Sequence, residues 1–553
     1  MIGRVPPVRK RDGLGIAASL ALALLVWPLY GSAARLWWTF DDFFHIRLVQ
    51  GKAPLDYFFF SAEPWRELGM FTPFLLLSLQ ADLLGFGLRP APFYFHQLIA
   101  LGAATVALFW LLRLWLAPGL AFLSSLLFLV GAPLAGWAPE LMIRHYVEGL
   151  FFSTIAVWLF VKSVRENRPG LSLASALLYL AAVLCKEAYV PLVGLLLLLP
   201  EADWRLRFRR ARAHLIFLAV YLAWRSVMVG ALLGGYGWAT RPGDLPGLAL
   251  ALPRKLGASF VGDSMFAAAV LGAALLIGVA SAFTRRRHAV LFFVCMLAAA
   301  AVPFLPVSKS FEPRYGALAW LAIVVAFGFG IRTLLDRGGA FRAVAWLAAA
   351  AAVAAAFAGN RSQWHSRFAS AERMSAEAAF FLRMKDKELL RHPLVPPAAL
   401  KELRWLKEEH LGLPSGAGWF ADDLYLCAPA REIERIWQYR TDTRSIEDVT
   451  ALLPAIRSGY CASFRDVPLR ADFWHEEGGF FWDLGPYVTG QYAIVYADGV
   501  ERFDVAPRDG YRRHAAVLSL RVRYEAPEGW VAFSPDISID LRANRRARWE
   551  RRP

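Results

Sequence analysis

Two adjacent aspartates, Asp41 and Asp42, stand in the aromatic run WWTFDDFF, directly after the first long apolar segment of the chain. Carboxylates are costly to remove from water, and ionisable groups in an apolar, membrane-level setting usually mark a site. A carboxylate held there can take a proton from a weakly nucleophilic hydroxyl group, as general-base catalysis requires. The pattern favours a catalytic pair; the other interpretation is a polar boundary beside an aromatic belt.

Further ionisable residues follow at the ends of later apolar segments. They are Glu140, Arg144 and His145 in GWAPELMIRHYVE, Lys186 and Glu187 in LCKEAYVP, Arg225 in YLAWRSVMVG, and Arg314 and Tyr315 in FEPRYG. Taken singly, each has a structural explanation, such as an arginine that snorkels or bonds a neighbouring helix. Gathered on one face of a membrane bundle, they favour a site at which cations stabilise a departing phosphate. A lipid-phosphate donor would need no glycine-rich nucleotide loop.

The elements that must position these residues are membrane helices. The chain of 553 residues is 57% hydrophobic, whereas soluble domains are about 45–50% apolar. The mean hydropathy is +0.40. Long apolar runs continue to about residue 358, and charge and turn residues then reach the density of a soluble protein. The sequence predicts a membrane domain over 1–359, with a first outer loop over 33–69, and a soluble domain over 360–553.

A membrane-spanning helix needs about 20 apolar residues. Eleven segments are predicted to cross: 13–32, 92–112, 119–136, 146–162, 171–185, 188–200, 213–233, 263–283, 288–305, 315–334 and 341–358. The stretch 70–88 is also apolar, but it contains Pro73, Asp82 and two glycines, and we interpret it as a juxtamembrane or re-entrant helix. Counting it as a span would move the basic loop over 205–212 to the outer side, against the positive-inside rule.

The basic loops set the predicted orientation. With these arginines and lysines in the cytoplasm, the N-terminus is cytoplasmic and the C-terminal domain lies outside it, in a protein of a bacterial inner membrane. A cleaved signal peptide over 1–34 is the alternative to a retained first helix. The net charge of +16 is explained by these loops, so nucleic-acid binding is not expected.

Four cysteines are present. Cys185 and Cys295 lie in or beside apolar runs and are expected to be packing residues. Cys427 and Cys461 lie in the soluble domain and could pair if that domain is in an oxidising compartment.

The spaced motifs resemble those of the GT-C superfamily of membrane glycosyltransferases. WTFDDFFHI resembles the acidic motif of the family's first loop, and LYLAAVLCKEAYVP is similar to its Lys-Glu segment. PFYFHQLIAL resembles the family's histidine-containing segment, with His96 as a structural marker. The likeness is greatest to the branch of protein O-mannosyltransferases and the aminoarabinose transferase, and it covers roughly residues 13–335.

This resemblance implies a GT-C-like helical domain that uses a polyprenyl-phosphate sugar donor and inverts the sugar. It implies Asp41 or Asp42 as the base, and Lys186, Arg225, Arg314 and Tyr315 near the donor phosphate. Glu140, Arg144, His145 and Glu187 would lie near the acceptor or support the site. The acceptor would be a protein, a lipid or a glycan, and membrane lipids would surround the helices. No metal or other cofactor is expected, although Asp41, Asp42 and Glu140 are the oxygen ligands that a divalent cation would use.

Two alternatives stay open. A transporter or flippase for a lipid-linked glycan would carry charges along the interior of the bundle, and a non-catalytic assembly or sensor protein would tolerate changes in the Asp41-Asp42 loop. The soluble domain is predicted to be α+β or sandwich-like, with helices over 364–390 and 398–410 and strand-like alternation in QYAIVYADGVERFDVAP and AAVLSLRVRYEAPEGWVAFSP. The basic tail LRANRRARWERRP is either a disordered end or a contact for anionic lipid or an acidic glycan.

Overall fold

The structure is a computed structural model of the whole chain. It describes residues 13–39, 41–59, 62, 65–66, 69–230, 245–261, 265–283, 287–307, 311–385, 387–395, 402–412, 419–421, 433–459, 461–476, 479–496, 502–511, 517–540 and 546–551. The chain divides into two compact units, and each is described by itself. Unit 1 comprises Met1–Leu36 and Leu48–Ala369, and unit 2 comprises Trp37–Arg47 and Ser370–Pro553.

Unit 1 is helical. Its α-helices are α1 Gly13–Tyr30, α2 Asp42–Val49 (of which Leu48 and Val49 belong here), α3 Asp56–Phe59, α4 Pro73–Phe86, α5 Pro90–Leu112, α6 Pro118–Leu129, α7 Arg144–Arg165, α8 Pro169–Cys185, α9 Leu192–Leu198, α10 Trp204–Val229, α11 Leu245–Val261, α12 Met265–Phe283, α13 Arg287–Ala301, α14 Ala317–Leu335 and α15 Ala340–Phe381. Helix α15 continues into unit 2.

Six helices are long and apolar enough to cross a membrane, within the described part of the chain. They are Gly13–Arg35, Pro90–Leu112, Leu141–Arg165, Trp204–Val229, Pro313–Leu335 and Ala340–Phe381, where adjoining short helical turns are included. Shorter apolar helices occupy the other predicted spans, and the stretch predicted as re-entrant forms the 14-residue helix α4. The protein is a multi-pass membrane protein with a largely helical N-terminal part, as the apolar runs predicted.

Local sequence explains where many of these helices begin. Helices α4, α5, α6 and α8 each begin with a proline, whose fixed φ suits the first helical turn and whose missing N–H is not needed there. Helix α10 begins after Asp203, whose side chain accepts a hydrogen bond from the Leu206 N–H at 2.9 Å. Proline therefore marks the start of several helices in this bundle, a position at which soluble proteins often have a polar capping residue.

Small residues allow close helix crossings. Helices α12 and α14 pack along each other, and a Cβ atom at Gly330 would lie 1.5 Å from the Gly278 carbonyl oxygen. A Cβ atom at Gly278 would meet the Phe327 ring at 2.3 Å. Packing of this kind replaces the hydrophobic effect as the force between helices in lipid.

Helix α15 differs from the prediction. A span over 341–358 and a separate helix over 364–390 were expected, but the structure has one continuous helix of 42 residues that ends at Phe381. Asn360, at the predicted break, donates to the Tyr30 hydroxyl at 2.7 Å and to the Gly131 carbonyl at 2.9 Å. Because these partners satisfy its buried amide within unit 1, the polar residue does not interrupt the helix.

Unit 2 contains the described strands and two short helical segments. One is α16 Leu453–Gly459, and the other covers 402–410, the described part of the helix predicted over 398–410, and ends in the π-helical turn Leu406–His410. The strands are β1 Glu388–Arg391, β2 Trp419–Ala421, β3 Arg435–Arg440, β4 Ser445–Asp448, β5 Leu469–Glu476, β6 Gly479–Gly485, β7 Gln491–Tyr496, β8 Arg502–Val505, β9 Arg508–Tyr511, β10 Val517–Glu525, β11 Val531–Phe533, β12 Ile537–Asp540 and β13 Arg546–Arg551. They form three sheets, ordered β2-β1-β3-β4, β11-β10-β7-β8 with β12 on β10, and β13-β5-β6-β9.

The second and third sheets form a sandwich. Alternate residues of β5 and β6, such as Phe473 and Trp482, share one buried core with Ile494, Val522 and Ile539 of the facing sheet. The C-terminal part is thus strand-rich, as predicted.

The two stretches with strand-like alternation each form a pair of strands. AAVLSLRVRYEAPEGWVAFSP contains β10 and β11, which a turn at 527–529 joins, and QYAIVYADGVERFDVAP contains β7 and β8, whose connection lies outside the described residues. The described part of the basic tail is an ordered strand, β13, that pairs with β5. The interpretation of the tail as a disordered end is therefore wrong for residues 546–551. Cys185 and Cys295 are free. Cys461 is disulfide-bonded, and its predicted partner Cys427 lies outside the described residues.

Candidate functional site

The two aspartates have different surroundings within unit 2. The Asp42 carboxylate is 2% exposed and accepts a hydrogen bond from the Thr39 N–H at 2.9 Å. The Asp42 N–H in turn donates to the Thr39 carbonyl at 3.0 Å, so these two residues close a turn directly before helix α2. The neighbouring Asp41 is exposed. Asp41 is therefore the more accessible of the two acids, and Asp42 holds the turn beside it.

The segment that carries these acids is attached to the C-terminal part of the chain. The Trp37 N–H donates to the Ser375 hydroxyl at 2.6 Å, and Arg47 forms an ion pair with Glu402 at 2.6 Å. The Arg47 guanidinium also lies over the Trp405 ring, 5.5 Å from its centre. These contacts explain why Trp37–Arg47 clusters with unit 2.

Unit 1 holds the predicted cations, and the first group surrounds Glu140. This carboxylate is fully buried and forms an ion pair with Arg314, whose side chain is 8% exposed. Arg367 lies 3.7 Å from Glu140 and 3.0 Å from Glu312, and Arg314 lies 3.1 Å from Glu312. Two arginines and two glutamates compensate one another, which a buried charge requires. Sequence reasoning missed Arg367, since it was expected in the soluble domain.

The second group is built on Lys186. Its ammonium is 6% exposed and lies 3.3 Å from the Met70 sulfur and 3.6 Å from the Glu187 carboxylate. It also lies 5.5 Å from the centre of the Tyr146 ring. A lysine buried beside a thioether and an aromatic ring is poorly solvated, and the Glu187 carboxylate compensates its charge.

A row of aromatic rings connects these two groups. Tyr146 stacks on Phe304 with centres 6.1 Å apart, and Phe304 stacks on Tyr315 at 5.5 Å. The Arg314 guanidinium lies 5.3 Å from the centre of the Tyr315 ring. Lys186 and Arg314 therefore lie at opposite ends of one three-ring row, which brings together the predicted Lys-Glu and Arg-Tyr motifs.

Arg144 belongs to a different network. It is fully buried, pairs with Asp82 at 2.5 Å and donates to the Phe93 carbonyl at 2.6 Å. His96 also bonds Asp82, at 2.8 Å. The His96 marker and Arg144 thus meet at Asp82, a residue that was read from the sequence only as a feature of the re-entrant stretch.

The remaining predicted residues are buried or partly buried in unit 1. His145 is 3% exposed and lies against Tyr146, with ring centres 4.6 Å apart. Arg225 is 3% exposed near the end of α10. Tyr221, one turn earlier, lies within electrostatic range of both Arg225 and Glu187.

A large cavity begins beside the Lys-Glu motif. It has a volume of about 1390 Å³ and is lined mainly by leucine, alanine and phenylalanine side chains of α5, α7, α9, α13 and α14. Ala188 and Tyr189, directly after Glu187, form part of its wall at one end. Glu201 and Arg332 line the other end. The cavity is therefore apolar along its length and polar where the helices end.

Among the residues that the structure describes, no group of three or more histidine, cysteine, aspartate or glutamate side chains is placed to hold a metal ion. Glu140, one of the three oxygen ligands considered for a divalent cation, is engaged by arginines.

Comparisons with known proteins returned solved structures only. No family model and no curated protein matches the chain. ArnT from Cupriavidus metallidurans bound to undecaprenyl phosphate is 15% identical, with a TM-score of 0.42, and the match covers 80% of this chain and 95% of that one. The apo oligosaccharyltransferase of Archaeoglobus fulgidus is 10% identical, with a TM-score of 0.46 and coverage of 90% and 75%. The same archaeal enzyme, AglB, with an inhibitory peptide and a dolichol-phosphate has a TM-score of 0.44 at 10% identity.

ArnT and AglB are both GT-C glycosyltransferases, the superfamily that the sequence motifs resemble. Identities of 10–15% and TM-scores below 0.5 do not show a shared function, so the function is inferred from the residues of this chain.

Proposed function

We propose that this chain is a membrane glycosyltransferase that moves a sugar from a polyprenyl-phosphate donor to an acceptor hydroxyl, with inversion at the sugar carbon. The site is assigned to the extracytoplasmic face of a bacterial inner membrane. The acceptor is a protein, a lipid or a glycan.

One observation carries the proposal: Lys186 is buried, and Ala188 and Tyr189, two and three residues after it, line the large apolar cavity. A polyprenyl phosphate has one anionic end and a long hydrocarbon chain, so it needs a cation and an apolar channel in continuity. Lys186 supplies the cation, and the cavity of about 1390 Å³ supplies the channel. Binding of the hydrocarbon chain there removes apolar surface from water or from competing lipid.

The reaction assigns a role to each group. The acceptor hydroxyl gives its proton to the Asp41 carboxylate while its oxygen attacks the anomeric carbon from the side opposite the phosphate. The bond between that carbon and the phosphate oxygen breaks, and its electron pair leaves with polyprenyl phosphate. Lys186, Arg225 and Arg314, with Tyr315, stabilise the negative charge that develops on this leaving group.

The other buried ionisable residues support these groups. Glu140 holds the Arg314 guanidinium, and Glu187 lies beside the Lys186 ammonium. Arg144 fixes α7 against α4 and α5 through Asp82 and Phe93. His145 packs on Tyr146, the ring that Lys186 faces. In this assignment Asp42 keeps Asp41 in place and does not itself take the proton.

The test is a donor panel with the purified full-length protein in nanodiscs. Polyprenyl-phosphate sugars are supplied one at a time with a mixture of acceptors, and released polyprenyl phosphate is measured. At least one donor is expected to be consumed. Lys186→Met, which keeps the length of the side chain but removes its charge, should slow release by about 10²–10³-fold.

Lys162→Met is the matched control, since Lys162 lies on a Trp158 ring near the end of α7 and has no assigned role. It should release polyprenyl phosphate at the normal rate. If no donor is consumed by the folded wild-type protein, the enzyme assignment is overturned, and movement of an intact lipid-linked glycan across the nanodisc or vesicle membrane becomes the activity to measure.

A further inference from the structure

The sheet β13-β5-β6-β9 has one face in the sandwich core and one face outside it. Phe473, Phe480 and Trp482 lie in the core. Because successive side chains of a strand point to opposite sides, the residues between them lie on the other face. The pairing of β13 with β5 places Arg546 and Arg548 on this other face, and their side chains are 65% and 59% exposed. The face is therefore open to solvent, and it is called here the outer sheet face.

Strand register arranges the outer sheet face in three rows. Its rows are Arg546, Trp474, Phe481 and Gly510; Arg548, Asp472, Asp483 and Arg508; and Glu550, Arg470 and Gly485. Neighbours within a row lie on adjacent strands about 4.8 Å apart. The first row thus has two aromatic residues at its centre, and the second has two aspartates flanked by arginines.

The aromatic row contains a stacked pair. The Trp474 and Phe481 rings are 5.8 Å apart at an angle of 18° and are both partly exposed. A Cβ atom at Gly510 would lie 2.2 Å from the Phe481 ring. Glycine at that position therefore lets the ring extend over the neighbouring strand, which widens the apolar surface that the pair presents.

The charged row is held in a fixed geometry. Arg546 binds Asp472 through two nitrogens, with Nε–Oδ1 at 2.9 Å, and Arg470 binds Asp483 at 3.0 Å. The Arg470 guanidinium also lies against Gly485, where a Cβ atom would be 3.1 Å from it. Planar, paired groups of this kind present further N–H donors and carboxylate lone pairs at set positions.

The face carries a small positive excess. Its four arginines, Arg470, Arg508, Arg546 and Arg548, exceed its three acids by one charge, giving a net +1. Arg508 is exposed at the β9 edge. Arg548 lies 3.7 Å from Glu550, a loose pairing that leaves its guanidinium open to another anion.

From this arrangement we propose that the outer sheet face binds a glycan chain that bears carboxylate groups. The C–H faces of pyranose rings pack on Trp474 and Phe481, and sugar hydroxyls exchange hydrogen bonds with the Arg–Asp pairs. Carboxylates of the glycan pair with Arg508 and Arg548, whose planar guanidinium groups match them. An anionic lipid surface fits less well, because it offers no pyranose rings to pack on Trp474 and Phe481, whereas a glycan engages both these rings and the arginines.

The same unit carries Asp41. If the glycan is the acceptor of sugar transfer, that part of the inference rests on the proposed function. Binding itself does not, and it is therefore tested without any donor.

The experiment measures equilibrium binding of an oligogalacturonate to the full-length protein in nanodiscs made of neutral lipid. Maltohexaose is the uncharged comparison, and vesicles that contain phosphatidylglycerol test the lipid alternative. We expect the oligogalacturonate to bind and its affinity to fall as salt is raised. Trp474→Ala should weaken binding by about tenfold, and Arg508→Ala by at least about fivefold.

Arg521→Ala is the matched control, since Arg521 is a partly exposed arginine of the other sheet, paired with Asp536 at 2.5 Å. It should leave binding unchanged, and thermal unfolding of each variant confirms that it is folded. Because Arg508 is an exposed edge residue, its variant decides the case if Trp474→Ala unfolds. Equal binding of maltohexaose, binding to anionic vesicles alone, or oligogalacturonate binding that neither substitution weakens would each overturn the proposal. If the wild-type protein binds the oligogalacturonate but shows no transferase activity with any donor, only the proposed function is overturned.

Discussion

At the scale of single residues, the paired aspartates show how two identical side chains acquire separate tasks. Asp42 is fixed by the Thr39 N–H and is buried, whereas Asp41 is exposed at the positive end of the following helix. The motif thus contains one exposed candidate base and one buried residue that holds a turn. The sequence alone could not separate the two, because both carboxylates lie in the same aromatic run and their burial depends on the fold.

Substitution of the two acids should therefore have different effects. Asp41→Asn should lower sugar transfer by about 10²–10⁴-fold without lowering thermal stability, because it removes a proton acceptor. Asp42→Ala should cost about 0.5–1.5 kcal/mol of stability through loss of its hydrogen bond with the Thr39 N–H. Released polyprenyl phosphate and thermal unfolding in detergent measure the two effects. Asp442→Asn, at an exposed turn residue, is the control, and full activity of the Asp41 variant would refute the base assignment.

The buried pair of Glu140 and Arg314 leads to a prediction about stability. Glu140→Ala leaves Arg314 and Arg367 without that carboxylate, and removal of one partner from a buried ion pair costs about 3–5 kcal/mol. We expect the Glu140→Ala variant to lose folded protein at a lower temperature than the wild type. The loss is measured by size-exclusion chromatography in detergent after heating. Glu166→Ala removes a carboxylate from an exposed pair with Arg168 and should change stability by less than about 1 kcal/mol. Similar melting of both variants would show that the Glu140 cluster is not a stabilising unit.

At the scale of helices and strands, the apolar runs predicted the helical part of the molecule well, because hydropathy reports directly on what faces lipid or core. The contacts that assemble the site could not be predicted in the same way. Arg367 reaches Glu140 across more than 200 residues, and no local pattern encodes a pairing of that kind. The continuity of α15 through Asn360 depended equally on distant partners, Tyr30 and Gly131.

The crossing of α12 and α14 gives a prediction for helix packing. Gly278→Ala introduces a methyl group at a point where the Phe327 ring already lies 2.3 Å from an ideal Cβ, so the helices must separate. Overpacking of this kind costs about 1–3 kcal/mol. Gly272→Ala, on the same helix, is the control, because its Cβ has no neighbour within 4 Å among the described atoms. Thermal unfolding in one detergent compares the two, and a lower midpoint for Gly272→Ala would contradict the packing described.

The last strand gives a prediction about acid. The hydrogen bonds from Arg546 hold the pKa of Asp472 below its usual value. The stabilisation is therefore present above the unfolded-state pKa of about 3.9 and is lost as pH falls through the lower folded-state pKa. Between about pH 5 and about pH 3, the wild-type protein should therefore lose more stability than the Asp472→Asn variant does. Thermal unfolding by tryptophan fluorescence measures this difference, and Glu528→Gln, at an exposed turn, should behave as wild type.

At the scale of the whole molecule, the distribution of positive charge predicts which side of the membrane each loop occupies. Asn167 lies in the short turn between α7 and α8, beside basic residues, and is assigned to the cytoplasm. Val488 is 94% exposed in the C-terminal unit and is assigned to the other side. In a background with Cys295→Ser, Val488→Cys should react with an impermeant maleimide on intact spheroplasts. Asn167→Cys should react only after the membrane is opened, and the reverse pattern would invert the topology.

The attachment of residues 37–47 to the C-terminal unit limits how this protein can be divided. A cut near residue 369 leaves the acidic segment behind without Ser375, Glu402 and Trp405, the side chains that hold it. A chimera that exchanges C-terminal halves between related chains would therefore need to transplant two separate stretches, one from each end of the sequence. Recombination between such genes would be tolerated where residues 37–47 and the C-terminal unit come from the same parent, and rarely where only the C-terminal unit is exchanged.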